Sequence, residues 1–93
     1  MTRGEPRGSV DSAGAELVII GKPGCHLCDA VRAVVTQLAA EFGLEVAELS
    51  VLDHPDLLQE YGEMIPVTLV DGRVHDYWRV DADRLRAALV ARC

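Results

Sequence analysis

The chain has 93 residues, enough for one domain and too few for two. Apolar residues make up 49% of it and charged residues 26%, the balance of a globular protein with a modest core. The net charge of −6 disfavours phosphate-rich partners, so neither nucleic acid nor an anionic membrane surface is expected. No apolar run approaches the roughly 18 residues that a membrane-spanning helix needs. Met1 to Ala15 has no apolar stretch of the kind a secretory signal carries, so a cytoplasmic, reducing location is expected.

Met1 to Ala15 carries Gly4, Gly8, Gly14, Ser9, Ser12 and Pro6 with few apolar residues, and is expected to be a flexible tail outside the fold. The domain then runs from 16 to 93. Glu16 to Ile20 is a short apolar run rich in β-branched residues and predicts a buried central strand. The loop Gly21-Lys-Pro-Gly24 follows and leads directly to Cys25. From His26 to Phe42 the apolar positions Cys28, Val31, Val34, Val35, Leu38 and Phe42 recur with helical spacing, and Gly43 marks the stop. Leu44 to Val51 partly alternates and predicts a second strand.

Asp53-His-Pro-Asp56 predicts the start of a short helix bearing Leu57, Leu58 and Tyr61, with proline in the first turn and Gly62 as terminator. Pro66 to Val70 predicts a strand, Asp71-Gly72 a hairpin turn, and Arg73 to Tyr77 the antiparallel mate. Asp81 is placed to cap a last helix with Leu85, Ala88 and Leu89 inward, and Val80 with Leu85 forms a hydrophobic staple around that cap. The order β-α-β-α-β-β-α predicts an α/β fold: one four-stranded mixed sheet flanked by three helices. The order of strands in the sheet does not follow from this pattern.

The chemistry lies in Cys25-His-Leu-Cys28. Cys25 falls where a strand and loop meet a helix, and there the unpaired backbone N–H groups and the positive end of the helix dipole favour thiolate over thiol. A free thiol, with pKa about 8.5, is only a few per cent ionised at neutral pH. Cys28 lies one turn on and on the same side, placed to resolve a mixed disulfide formed on Cys25. His26 between them either supports the thiolate as an imidazolium or stands neutral and exposed. Zinc uses the same cysteine spacing but needs four ligands. Only Cys93 and the separated His54 and His75 remain besides His26, so no metal site is expected. Ile65-Pro66 opens a strand, where proline is tolerated, with either a plain trans start or a cis loop facing Cys25.

From Glu16 to Ala91 the chain resembles the thioredoxin superfamily, and within it the small glutaredoxin-like proteins. The residues that carry the likeness are Lys22-Pro-Gly-Cys25-His-Leu-Cys28, Ile65-Pro66-Val67 and Asp71-Gly72. The resemblance implies a thioredoxin-like fold and a cis Pro66. It also implies that the Ile65 backbone aligns substrate beside Cys25 and that Lys22 meets a carboxylate of glutathione. Lys22, His26, Ile65 and Pro66 therefore make the expected substrate-binding set around the catalytic Cys25 and Cys28. Glutaredoxins usually carry a Gly-Gly step before the last helix, where this chain has Tyr77-Trp-Arg-Val-Asp81. Thioredoxins carry a tryptophan before the first cysteine and a buried acid in the first strand, where this chain has Gly24 and Ile19. Tyr77 and Trp78 are read as core or cover residues, with a place in the substrate groove as the alternative. Arg79 is read as a solvated surface residue, with carboxylate recognition as its alternative, and Cys93 as an incidental free thiol.

The activity expected is thiol–disulfide exchange on a disulfide-containing protein or a glutathionylated substrate, by a monomer with no bound cofactor. Glutathione or another low-molecular-weight thiol is the expected reductant. Two alternatives stay open on the sequence: an iron–sulfur carrier or assembly factor, and a non-catalytic binding module of the same fold.

Overall fold

A computed structural model describes residues 15–92, so the expected tail (apart from Ala15) and Cys93 lie outside the described residues. Strand β1 (Leu17–Gly21) is buried along its whole length. Its continuous run of branched apolar residues suits a strand covered on both faces. Leu17 and Ile19 face one side, against Val31, Val35 and Leu38 of helix α1 (His26–Phe42) and Leu85 and Leu89 of helix α3 (Ala82–Ala91). Val18 and Ile20 face the other, against Leu57 of the short helix α2 (Pro55–Tyr61). Three layers result, with α1 and α3 above the sheet and α2 below it.

The sheet order is β2-β1-β3-β4, with β2 spanning Val46–Ser50, β3 Val67–Val70 and β4 Arg73–Tyr77. β1 pairs parallel to β2 and antiparallel to β3, so the sheet is mixed, as expected. β4 has the bounds expected from the sequence, while β1, β2 and β3 are shifted or shortened by one or two residues. Glu16 lies just outside β1, where its carboxylate accepts the Glu45 N–H at 2.9 Å. Leu44 closes the end of α1, donating to the Ala39 carbonyl at 2.9 Å, and so is not free to join β2. Pro66 lacks the N–H that a strand member would donate, and β3 starts after it.

The turns follow their residues. Gly43 takes φ 69° at the end of α1, and Asp71 and Gly72 take φ 52° and 83°, the mirror-image turn that an Asp-Gly hairpin favours. Asp81 caps α3 by accepting the Arg84 N–H at 3.1 Å, and Val80 packs onto the same apolar cluster as Leu85. His75 is the extra residue of a bulge where β4 pairs with β3 between Thr68 and Leu69.

Burial pushes the His75 imidazole below its ordinary 6.5, against the opposing pull of the Asp76 carboxylate. As the pH falls through about 6.5, the unfolded chain takes up a proton that the folded chain resists, so stability is intact above that value and declines below it. The urea midpoint should therefore drop between about pH 7.5 and about pH 5.5, and His75→Gln should flatten that drop. An unchanged slope in the variant would remove His75 as its source.

Candidate functional site

The site begins where β1 stops. Gly21, the last residue of the strand, is buried beneath Cys28: a Cβ built on it would lie 2.8 Å from Cys28 Sγ. The absence of a side chain there is what gives the sulfur its place. Lys22, Pro23 and Gly24 carry the chain outward, with Gly24 at φ 75°, a left-handed turn that aims Cys25 into the helix start.

Cys25 is the N-cap of α1, in extended conformation at φ −101° and ψ 115°, and it is half-buried. Its Sγ accepts the backbone N–H of Cys28 at 3.1 Å, the bond a serine or aspartate makes at an ordinary N-cap. One of the unpaired backbone donors of the first turn is thus spent on the sulfur. Asp29 N–H donates to the Cys25 carbonyl at 3.2 Å and starts the helical ladder.

Cys28 lies on the inner face of α1, 2% exposed. Burial pushes its thiol up from the ordinary value, and the hydrogen bond its S–H makes to Cys25 acts in the same sense. The Lys22 backbone amide and the Arg32 guanidinium act the other way. The two sulfurs thus divide their tasks: one is accessible at a helix end, the other is buried and holds its proton beside it.

The Ile65–Pro66 peptide is cis. Ile20 pairs with Val67, which puts Pro66 across from Gly21 at the same end of the sheet as the loop leading to Cys25. Pro66 is buried, and Ile65 is half-buried, packed like Tyr61 and Met64 against the cluster that holds Ile20, Leu57 and Val67. His26 is exposed in the first position of α1. Lys22, also exposed, lies with Pro23 at the edge of a cavity of about 260 Å³ behind Cys28, on the side facing β2.

Of the core or cover places expected for Tyr77 and Trp78, the core is excluded: they are 39% and 51% exposed. Trp78 N–H donates to the Pro66 carbonyl at 2.7 Å, and its indole N–H donates to the Glu63 carbonyl at 3.1 Å. Its φ of 64° and the 2.6 Å bond from Arg79 N–H to the Tyr77 carbonyl close a three-residue turn around it. Such a backbone costs a bulky residue about 1–3 kcal/mol and persists only where its surroundings hold it. With Leu27, Ala30, Val31 and Val34, Trp78 walls a second groove of about 250 Å³ along α1. Arg79 is exposed, as expected.

Three residues of the site escaped the sequence reading: Gly21, Arg32 and Glu48. Gly21 read only as a strand boundary. Arg32 stands four residues after Cys28, a spacing that puts both on one helix face and was a usable signal. Glu48 comes from β2, and only the register that sets it across from Ile19 shows its nearness to the cavity. Among the described residues, no three Cys, His, Asp or Glu side chains gather in a group able to hold a metal ion.

The sequence model of a family described as Glutaredoxin-like domain (DUF836) matches residues 16–90. The uncharacterized protein Rv0508 of Mycobacterium tuberculosis is 35% identical over 77 residues, which span 77% of this chain and 79% of that one. The X-ray structure of the protein XcR50 from X. campestris superposes with a TM-score of 0.66 at 33% identity, covering 81% of this chain and 96% of that chain. A thioredoxin from Halobacterium salinarum superposes with a TM-score of 0.58 at 24% identity, over 89% of this chain and 79% of that chain, a likeness of fold alone.

Gly21→Ala should force the Cys28 sulfur aside. The expected loss of stability is about 1–3 kcal/mol by urea unfolding, with faster alkylation of Cys28 in the folded protein. A variant as stable as the wild type and equally shielded would mean that the sulfur has room to move.

Proposed function

Because this chain belongs to the glutaredoxin-like family (DUF836), with the thioredoxin fold, we propose that it is a thiol–disulfide oxidoreductase working by dithiol exchange. Cys25 is the nucleophile and Cys28 the resolving thiol. The observation that carries this reading is the 3.1 Å bond from Cys28 N–H to Cys25 Sγ, with the buried Cys28 sulfur one turn behind it. The donor strengthens as Cys25 becomes anionic, and the thiolate is the attacking species.

The steps follow from the two environments. Cys25 thiolate attacks a substrate disulfide, forming a mixed disulfide and releasing one substrate thiolate. Cys28 loses its proton to solvent and attacks Cys25 Sγ. The mixed disulfide breaks, the second substrate thiolate leaves, and Cys25–Cys28 closes as a disulfide. Two electrons pass from the protein to the substrate, and two equivalents of a low-molecular-weight thiol such as glutathione restore the dithiol.

Protein disulfides or glutathionylated proteins are the proposed substrates, and the reducing cytoplasm the proposed setting, with the chain acting as a monomer. The Ile65 backbone before Pro66 aligns the substrate chain, and Lys22 and His26 supply positive or polar groups beside the reacting sulfur. No bound cofactor, nucleic acid or membrane enters the mechanism.

Cys25→Ser should abolish reduction of insulin and of a glutathione mixed disulfide. Cys28→Ser should accumulate a substrate adduct on Cys25, seen as a mass increase that a reducing thiol removes. In the wild type, iodoacetamide should label Cys25 well before Cys28. Wild-type reduction by both serine variants would overturn the mechanism.

A further inference from the structure

The cavity of about 260 Å³ behind Cys28 has an apolar floor from Ile19 and Leu49 and a charged wall from Arg32 and Glu48. Cys28 and Arg32 are one turn apart on the same face of α1. Arg32 is not a loose surface cation. Its Nη1 donates to Asp29 at 2.7 Å and its Nε to Glu48 across the helix–sheet boundary, so its position is set from both elements. The proposed exchange leaves this arrangement without a task. Taking dithiol exchange as given, we propose that Arg32 is a positioning residue for the resolving step: held by Asp29 and Glu48 at the cavity wall, its charge stabilises the Cys28 sulfur as that sulfur becomes anionic and attacks Cys25.

The surroundings leave few competitors. Among the described residues, the charged and titratable groups around this sulfur are Cys25 and Arg32 on α1, Lys22 in the preceding loop, Glu48 on β2 and Asp53 after it, with Asp29 acting through its bond to Arg32. β1 brings none, being Leu-Val-Ile-Ile-Gly, and β3 contributes only the neutral Thr68. Burial and Cys25 both oppose the Cys28 thiolate; the Lys22 backbone amide favours it most, and Arg32 adds to that as the side-chain cation at the cavity wall. Glu48 acts through Arg32: as the carboxylate that binds the guanidinium, it offsets part of the charge the sulfur feels. Arg32 and Glu48 therefore have opposite effects on Cys28, although each substitution breaks the same ion pair.

That opposition is the test. In a Cys93→Ser background, which leaves Cys25 and Cys28 as the two thiols of the chain, an aromatic disulfide reagent (5,5′-dithiobis-2-nitrobenzoate) reacts with Cys25, forming the mixed disulfide and releasing one coloured thiolate. Cys28 then loses its proton, attacks Cys25 Sγ, breaks the mixed disulfide and releases the second coloured thiolate, leaving Cys25–Cys28 oxidised. The pH profile of the second release reads the ionisation of Cys28 during resolution, with Cys28→Ser as the blank. Arg32→Gln should raise the midpoint by about one unit and slow the second release about tenfold near neutral pH. Arg32→Lys should recover most of the rate, and Glu48→Gln should lower the midpoint and speed the release. Changes of the same sign in Arg32→Gln and Glu48→Gln, as loss of a merely structural ion pair would give, overturn the proposal, as does no change in either. A Cys93→Ser parent that releases one coloured thiolate and never the second overturns the exchange reading itself, a result distinct from unaltered resolution in the variants.

Discussion

Everything at the site depends on the N–H of Cys28 meeting the sulfur of Cys25. That bond exists because a strand buried on both faces delivers the chain to the start of a helix with a cysteine as its cap. The first turn of a helix has backbone donors with no partner inside the helix. A cap with an oxygen would satisfy one of them permanently. A cap with sulfur puts a thiol in that place, at an accessible helix end, where the proposed exchange needs it. The fold and the chemistry thus use one and the same hydrogen bond.

The strand sets the second constraint. β1 has to be apolar throughout because α1 and α3 cover one face and α2 the other. It has to end in a residue without a side chain because the Cys28 sulfur lies above that end. From the opposite direction the chain returns through Pro66, whose carbonyl accepts the Trp78 N–H, while the Trp78 indole N–H donates to the Glu63 carbonyl. The strained turn at Trp78 is therefore fastened to the loop on which Pro66 sits, and that loop lies at the same end of the sheet as Cys25. An exposed indole held this firmly is a fixed wall of the groove along α1.

Much of this was legible in the residue pattern, for physical reasons that also explain what was not. The period of Cys28, Val31, Val35 and Leu38 marks α1, and the unbroken run Leu17 to Ile20 marks a doubly covered strand, because burial acts on each residue directly. Gly43, Asp71-Gly72 and Asp81 are legible because their backbone geometry or capping bond belongs to the residue itself. Strand order, the closeness of Gly21 to Cys28 and the reach of Glu48 to Arg32 depend on which distant segments become neighbours, and no local pattern encodes that. Trp78 misled for a related reason. Large aromatic residues are usually interior, but a left-handed turn after β4 points this one outward, and nothing in Tyr77-Trp-Arg announces the turn.

Two identical side chains three residues apart differ here because the helix gives them opposite surroundings. A nucleophile has to be reachable and readily anionic; a resolving thiol is useful only if it stays out of the first encounter and acts once the mixed disulfide has formed. Burial alone secures the first half of that requirement for Cys28, and taken further it would block the second, because a sulfur that cannot ionise cannot attack. A cation one turn away, moderated by carboxylates on α1 and β2, is a way to hold the balance between the two. β1 carries apolar Ile19 where it meets the cavity, so the charge at that wall comes from the neighbouring elements, and the Arg32–Glu48 pair spans the gap between them.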